Sequence, residues 1–138
     1  MKIKTLLSAA VLSFACQAFA ANQVSFIEPK DGADVTSPLK VRFGLEGMKI
    51  GPVGDMTPNT GHHHLIINDN SIAKGESVPF DDKHLHFGKG QTETELKLPP
   101  GKYTLTLQFG NGAHQSYGPE MSKTIHINVV EASKSGGH

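Results

Sequence analysis

The stretch "LPPGKYTLTLQF", residues 98–109, decides the fold class that this sequence predicts. Its second part alternates apolar with polar residues, so every second side chain points to the same side of an extended chain. The apolar set on that side is Tyr103, Leu105, Leu107 and Phe109. Because Pro-Pro-Gly is typical of a tight turn, we expect a strand with one buried face that begins directly after a turn.

Six other segments are predicted as strands from the same kind of pattern. They are residues 24–29, 39–46, 62–68, 84–87, 92–98 and 121–130. Turn sequences such as "PKDGAD" and "GNGAH" separate the segments, and no ten residues in a row show a clean helical period. We therefore predict an all-β fold, an antiparallel immunoglobulin-like β-sandwich of about seven strands, with two longer loops at 47–61 and 69–83.

The first twenty residues have the features of a secretory signal peptide. Lys2 and Lys4 precede a short apolar stretch, and Ala18–Ala20 form the small-x-small pattern of a cleavage site. We expect cleavage after this pattern and a periplasmic or secreted protein. Its single β-sandwich domain would span 21–131, and residues 132–138 would form a disordered tail.

Cys16, the only cysteine of the chain, lies inside this predicted signal. A lipoprotein signal would use it as the anchor, but Ser13 stands where such signals carry an aliphatic residue. Cleavage after Ala20 leaves a mature chain with no thiol. We therefore expect no disulfide, no thiolate nucleophile and no thiolate metal ligand.

The charge of the predicted mature chain is close to balanced. The whole chain has 13 Lys and Arg and 13 Asp and Glu, and the signal removes two lysines and no acid. The remainder has a net charge of about −2 with neutral histidines. This charge does not predict a basic surface for nucleic acid. The apolar stretch of the signal is too short for a membrane span. An envelope protein stays open as a partner.

Two histidine-rich segments predict a metal site. In a strand, residues i and i+2 share a face, so His62 and His64 lie together, as do His84 and His86, whereas His63 lies on the opposite face. If the two segments pair, imidazoles from both can reach one ion. Neutral imidazole suits copper and zinc, whereas calcium prefers oxygen ligands. We therefore expect a copper or zinc ion, bound less tightly as the pH falls from 7 to 5. The candidate ligands are His62, His64, His84, His86, His63 and His114.

The roles of three of the histidines stay open from the residues alone. His63 is either a ligand or a packed side chain. His114, in the turn "GNGAHQSYG", either closes the site from a third segment or is an exposed turn residue. His126 lies opposite two buried isoleucines of its strand and is left out of the site. Met48 and Met56 precede the histidines, and a thioether would favour Cu(I), although methionine is more often a packing residue.

Several motifs resemble a family of small secreted or periplasmic bacterial domains of unknown function. They are "GHHHLIIND", "HLHFGKGQTETEL" and "LPPGKYTLTL", preceded by an opening similar to "VSFIEPKDGADVTSPLKVRFGLEGM". The resemblance covers about residues 24–130. It implies His62, His63, His64, His84, His86 and the "FGKGQTE" residues as signature positions, and it supplies no function. Members often carry a histidine-rich stretch before the last strand, where this chain has only His114.

Three functions are compatible with these observations. The first is a copper- or zinc-binding module for metal buffering, delivery or sensing. The second is an immunoglobulin-like interaction or accessory domain whose histidine cluster is structural. The third is a copper-dependent redox enzyme, because HxH pairs faintly resemble the ligand pattern of Cu/Zn superoxide dismutases. No Ser-His-Asp or paired-carboxylate motif is readable, which favours a binding function over an enzyme.

Overall fold

The computed structural model describes residues 21–132. The predicted signal peptide and residues 133–138 of the predicted tail lie outside the described residues. The described part forms nine strands and one short 3₁₀ helix, Pro119–Met121. The strands are β1 Gln23–Glu28, β2 Ala33–Thr36, β3 Leu39–Glu46, β4 Lys49–Ile50, β5 Thr60–Ile67, β6 His84–His86, β7 Glu93–Leu96, β8 Gly101–Gly110 and β9 Ser122–Val130.

The strands form two sheets in a sandwich-like arrangement. The smaller sheet has the order β1-β3-β7, and the larger one has the order β2-β9-β8-β5-β4. The short strand β6 also pairs with β5, on the edge opposite β8. The predicted all-β fold with antiparallel sheets is therefore confirmed. Two pairings, β2 with β9 and β4 with β5, are parallel.

The hydrophobic core lies between the two sheets and follows the predicted alternation. In the stretch that predicted the fold, Leu105, Leu107 and Phe109 are fully buried. Tyr103 packs against the same core, and its hydroxyl donates to the Pro99 carbonyl oxygen in the preceding turn at 2.7 Å. The other sheet contributes the buried side chains Val24, Phe26, Leu39, Val41, Phe43 and Leu96.

The predicted count of about seven strands is too low for the described residues because two short strands have weak sequence patterns. β2 lies in a segment whose first residues were predicted as a turn, and it joins the sheet through parallel pairing with β9. β4 has only two residues, which is too short for any alternation to show, and it lies inside the predicted loop 47–61. Both strands depend on partners distant in sequence, which a local pattern does not reveal.

Loops cover the outer face of the larger sheet at β5 and at the neighbouring part of β8, whereas Thr124 and His126 of β9 are exposed. Ser116 joins two of these loops: its amide donates to the Glu76 carbonyl, and its carbonyl accepts from Gly75. The Val78 amide donates to the carbonyl of His114 in the same way, at 2.8 Å. As a result, residues 60–66 of β5 are buried on both faces.

No helix among residues 21–132 is long and apolar enough to cross a membrane.

We predict that Leu107→Ala lowers the free energy of unfolding by about 2–5 kcal/mol, because it leaves a cavity between the sheets. Ile27→Ala is the matched control, because Ile27 is 44% exposed on β1, and it should change this free energy by less than about 1 kcal/mol. Urea denaturation measures both. Equal effects of the two variants would contradict the described core.

Candidate metal centre

Four imidazoles meet on the outer face of the larger sheet. His62 and His64 come from β5, His86 comes from β6, and His114 comes from the turn after β8. Each offers one ring nitrogen, and these four atoms lie within 4.8 Å of one another. The antiparallel register places His64 directly opposite His86, as the two HxH segments predict. This group, called the four-histidine cluster below, is able to hold a metal ion.

The Nδ1 atom of His114 lies close to the other three ligand atoms. Its distances are 3.0 Å to His62 Nε2, 3.3 Å to His64 Nε2 and 3.0 Å to His86 Nδ1. Zinc–nitrogen bonds of about 2.0–2.1 Å in a tetrahedral site place the ligand nitrogens about 3.4 Å apart. The three distances to His114 Nδ1 are therefore close to those of a tetrahedral site, and all four atoms lie within 4.8 Å of one another.

Backbone carbonyls fix the tautomers of two of these rings. His64 Nδ1 lies 3.2 Å from the Gln108 carbonyl oxygen, and His86 Nε2 lies 2.6 Å from the Pro79 carbonyl oxygen. A carbonyl oxygen only accepts, so each of these ring nitrogens must carry the hydrogen. In neutral rings the other nitrogen, His64 Nε2 or His86 Nδ1, then has a free lone pair that points into the cluster. Metal-ligating histidines are oriented by the same kind of contact.

Burial favours the neutral form of three of the four rings. It lowers the pKa of His62 to about 4 and that of His64 to about 2, and the neighbouring imidazoles lower both pKa values further. Burial also lowers the pKa of His114. Neutral imidazole is the form that binds metal. At His62 and His64, protons should therefore compete with a metal only below the range of pH 5–7 expected from an ordinary histidine.

The turn that carries His114 lies close to the His64 ring. His114 has a backbone φ of 60°, in the left-handed region that few non-glycine residues adopt. Gly110, at the end of β8, lies against the His64 ring, and a Cβ at this glycine would lie 2.8 Å from His64 Cε1. A larger residue there would push the imidazole out of position. Of the two alternatives for His114, the structure shows the position in the four-histidine cluster and not the exposed turn residue.

His63 lies outside the cluster, on the core face of β5. Its ring centroid is 5.1 Å from that of Phe43 and 5.2 Å from that of Phe109. Neither ring nitrogen has a hydrogen-bond partner among the described residues, although both are buried. Burial lowers the pKa of His63 to about 4. His63 is therefore a packed side chain. Its inclusion among the candidate ligands is corrected.

His84 is also outside the cluster, which corrects the prediction that both HxH pairs converge. It lies opposite Ile66, two residues farther along β5 than the pairing of His64 with His86. Its Nδ1 lies 2.6 Å from Asp81 Oδ1, and its Nε2 lies 3.9 Å from Asp69 Oδ2. His114 takes the fourth position that was assigned to His84.

Three other residues considered from the sequence do not enter the cluster. Met48 packs against the core, and Met56 is 56% exposed. His126 lies on β9, and its Nδ1 is 3.3 Å from Asp31 Oδ1. Sequence reasoning missed Gln108 and Pro79, which act through backbone carbonyls that any residue type would supply.

We predict that His63→Leu makes the metal-free protein less sensitive to acid. Between pH 6.5 and 4 the unfolded chain binds a proton at His63 that the folded chain does not bind, so stability falls as the pH falls through this range. Removing this residue should reduce the stability lost from pH 7 to pH 5 by about 2 kcal/mol. Denaturation at both pH values, in the presence of a chelator, measures the loss. His126→Leu, at an exposed position, is the control. If His63→Leu loses as much stability from pH 7 to pH 5 as the parent does, the described placement of the His63 ring is contradicted.

Comparison with known proteins identifies the family but no activity. Among solved structures, the chain is similar to the endo-beta-1,4-mannanase from Thermotoga petrophila, with 17% identity and a TM-score of 0.52. The likeness covers 84% of this chain and 21% of the mannanase chain, so it shows the fold alone. No match was found among curated proteins. A family described as a domain of unknown function (DUF4399) matches residues 41–130, and this chain belongs to that family.

Proposed function

We propose that this protein is a metal-binding module of the cell envelope, periplasmic or secreted, that holds Zn²⁺ or Cu²⁺ in the four-histidine cluster. Its role would be metal buffering, delivery or sensing. One observation carries the proposal: ring nitrogens of four histidines lie within 4.8 Å of one another, and two of these rings are fully buried. The predicted signal peptide supports the location, and the resemblance to secreted or periplasmic domains supports it too.

The convergence is hard to explain by hydrogen bonds alone. His64 Nε2 and His86 Nδ1 both present lone pairs to His114 Nδ1, at 3.3 Å and 3.0 Å. A single N–H on His114 can satisfy one of them well and leaves the other unpaired. Leaving a buried acceptor unpaired costs about 1–3 kcal/mol. A cation among the nitrogens satisfies all of the lone pairs at once.

The second candidate function, an interaction or accessory domain with a structural histidine cluster, has one contact in its favour. His62 Nδ1 has no partner among the described residues, so His62 can carry its hydrogen on Nε2 and donate to His114 Nδ1 at 3.0 Å. That arrangement makes one good hydrogen bond. It also directs the lone pairs of His64 and His86 at a nitrogen that has no hydrogen left to donate.

The donor set supports a borderline divalent metal such as Zn²⁺ or Cu²⁺ over calcium, magnesium and Cu(I). All four side chains of the cluster are imidazoles, which suit borderline metals. Calcium and magnesium prefer oxygen ligands, and Cu(I) prefers the sulfur of cysteine or methionine. Met56 is exposed and Met48 packs against the core, so neither adds to the case for Cu(I).

We predict that the untagged protein binds one Zn²⁺ or Cu²⁺ per chain. The double variant His64→Ala/His86→Ala should bind on the order of 100-fold more weakly or worse, because it removes two of four ligands. Elemental analysis and isothermal titration calorimetry measure stoichiometry and affinity. A metal concentration of 100 times Kd should also stabilise the parent by about 2.7 kcal/mol.

Two single variants serve as matched controls for this experiment. His84→Ala and His126→Ala each remove an imidazole that the structure places outside the cluster, so both should bind metal as the parent does. The same preparations are tested for copper-dependent turnover, which would favour the redox-enzyme alternative. A parent that binds neither metal would contradict the proposal and favour the structural role of the cluster. Equal affinity in the double variant would place the metal elsewhere.

A further inference from the structure

The four-histidine cluster has a closed side and an open side. His62 and His64 are fully buried in the sheet, with β8 beside them. His86 and His114 are only partly buried, and they come from β6 and from the turn after β8. An ion that enters or leaves the cluster must therefore pass on the side of these two rings.

The ring of Phe80 lies against both imidazoles of this open side. It stacks on His86 with a centroid distance of 3.9 Å and an interplanar angle of 5°. It also meets His114 nearly edge-on, with a centroid distance of 4.9 Å and an interplanar angle of 76°. Despite these contacts the residue is 72% exposed, the largest exposure among the large hydrophobic residues described. Its ring is therefore held against the two imidazoles and mostly surrounded by solvent.

The backbone beside Phe80 is fixed more firmly than its ring. The Pro79 carbonyl accepts from His86 Nε2 at 2.6 Å, and the Val78 amide donates to the His114 carbonyl at 2.8 Å. Exposed side chains change rotamer rapidly without any backbone movement. The ring can therefore swing away from the cluster while Pro79 and Val78 keep His86 and His114 in place.

We propose that Phe80 is the gate of the metal site: its ring controls how fast the ion exchanges with solvent and with other chelators. This proposal rests on the proposed function and adds to it the route of exchange. In the closed position the ring shields His86 and His114 from water and from an incoming ligand. In the open position a competing donor atom reaches the ion as one of the two partly buried imidazoles leaves.

A gate and a packing role make different predictions for Phe80→Ala. If the ring only blocks the route, both the association and the dissociation rate rise and their ratio, Kd, stays nearly constant. If the ring positions His86 and His114, the variant weakens binding and distorts the coordination. The visible spectrum of the Co²⁺-substituted protein reports that distortion directly, because its bands depend on the arrangement of the ligands.

The experiment measures Zn²⁺ transfer by stopped flow, from the loaded full chain to the chelator 4-(2-pyridylazo)resorcinol and from free Zn²⁺ to the metal-free chain. Phe80→Ala should speed both transfers about tenfold, as expected when an aromatic contact no longer opposes opening. Its Kd should stay within about threefold of the parent, and its Co²⁺ spectrum should be unchanged. Phe80→Tyr keeps the stacked ring and should exchange at the parent rate. Ile27→Ala, an exposed apolar residue of the other sheet, should do the same.

Each other outcome counts against the gate. Unchanged rates in Phe80→Ala, with a parent that binds Zn²⁺, would overturn the gate and leave the proposed function standing. A large rise in Kd with an altered Co²⁺ spectrum would show that Phe80 positions the imidazoles. A parent that binds neither Zn²⁺ nor Co²⁺ would remove the gate together with the proposed function.

Discussion

The pairing of β5 on both of its edges is the constraint on which the rest of the site depends. On one edge, the register with β8 places the Gln108 carbonyl against the His64 ring. On the other edge, the register with β6 places His86 opposite His64. A slip of one residue in either register would turn the imidazoles to the other face of the sheet. The same hydrogen-bond ladders that stabilise the sheet therefore decide which imidazoles meet and which of their nitrogens carry a hydrogen.

Burial gives these imidazoles their chemistry. Fully buried rings such as His62 and His64 lose their hydration, which disfavours the charged form and lowers the pKa. The lone pairs are then free for a metal at neutral pH, but they lack the hydrogen bonds that water would give. These missing hydrogen bonds cost free energy. Apolar burial on the opposite face of β5 and β8 offsets that cost, because Leu65, Leu105 and Leu107 are buried there between the sheets. The fold thus holds a preorganised set of donors that a cation would complete.

Local alternation was enough to predict most of the sheet. Strong patterns such as residues 102–109 and 39–46 are strands with the expected buried faces. The short strands β2 and β4 were missed because they depend on parallel partners far along the chain. The immunoglobulin-like detail is compatible with the two sheets, but it stays a prediction.

The site was predicted less completely, for reasons of register and loop geometry. The HxH pattern assigns His84 and His86 to one face. Only the register with β5 shows that His86 lies opposite His64, whereas His84 lies opposite Ile66, two residues farther along β5. His114 reaches the cluster because hydrogen bonds between two distant loops hold its turn over β5, and no local pattern reveals them. Phe80 was missed as well, because its contacts with His86 and His114 come from a long loop.

Anomalous diffraction from a crystal of the Zn²⁺-loaded protein tests the central claim most directly. The account predicts one strong anomalous peak at the zinc edge, about 2.0–2.1 Å from His62 Nε2, His64 Nε2, His86 Nδ1 and His114 Nδ1. A peak beside His84, Asp81 and Asp69 instead, or four imidazoles in hydrogen-bond contact with no peak among them, would contradict it.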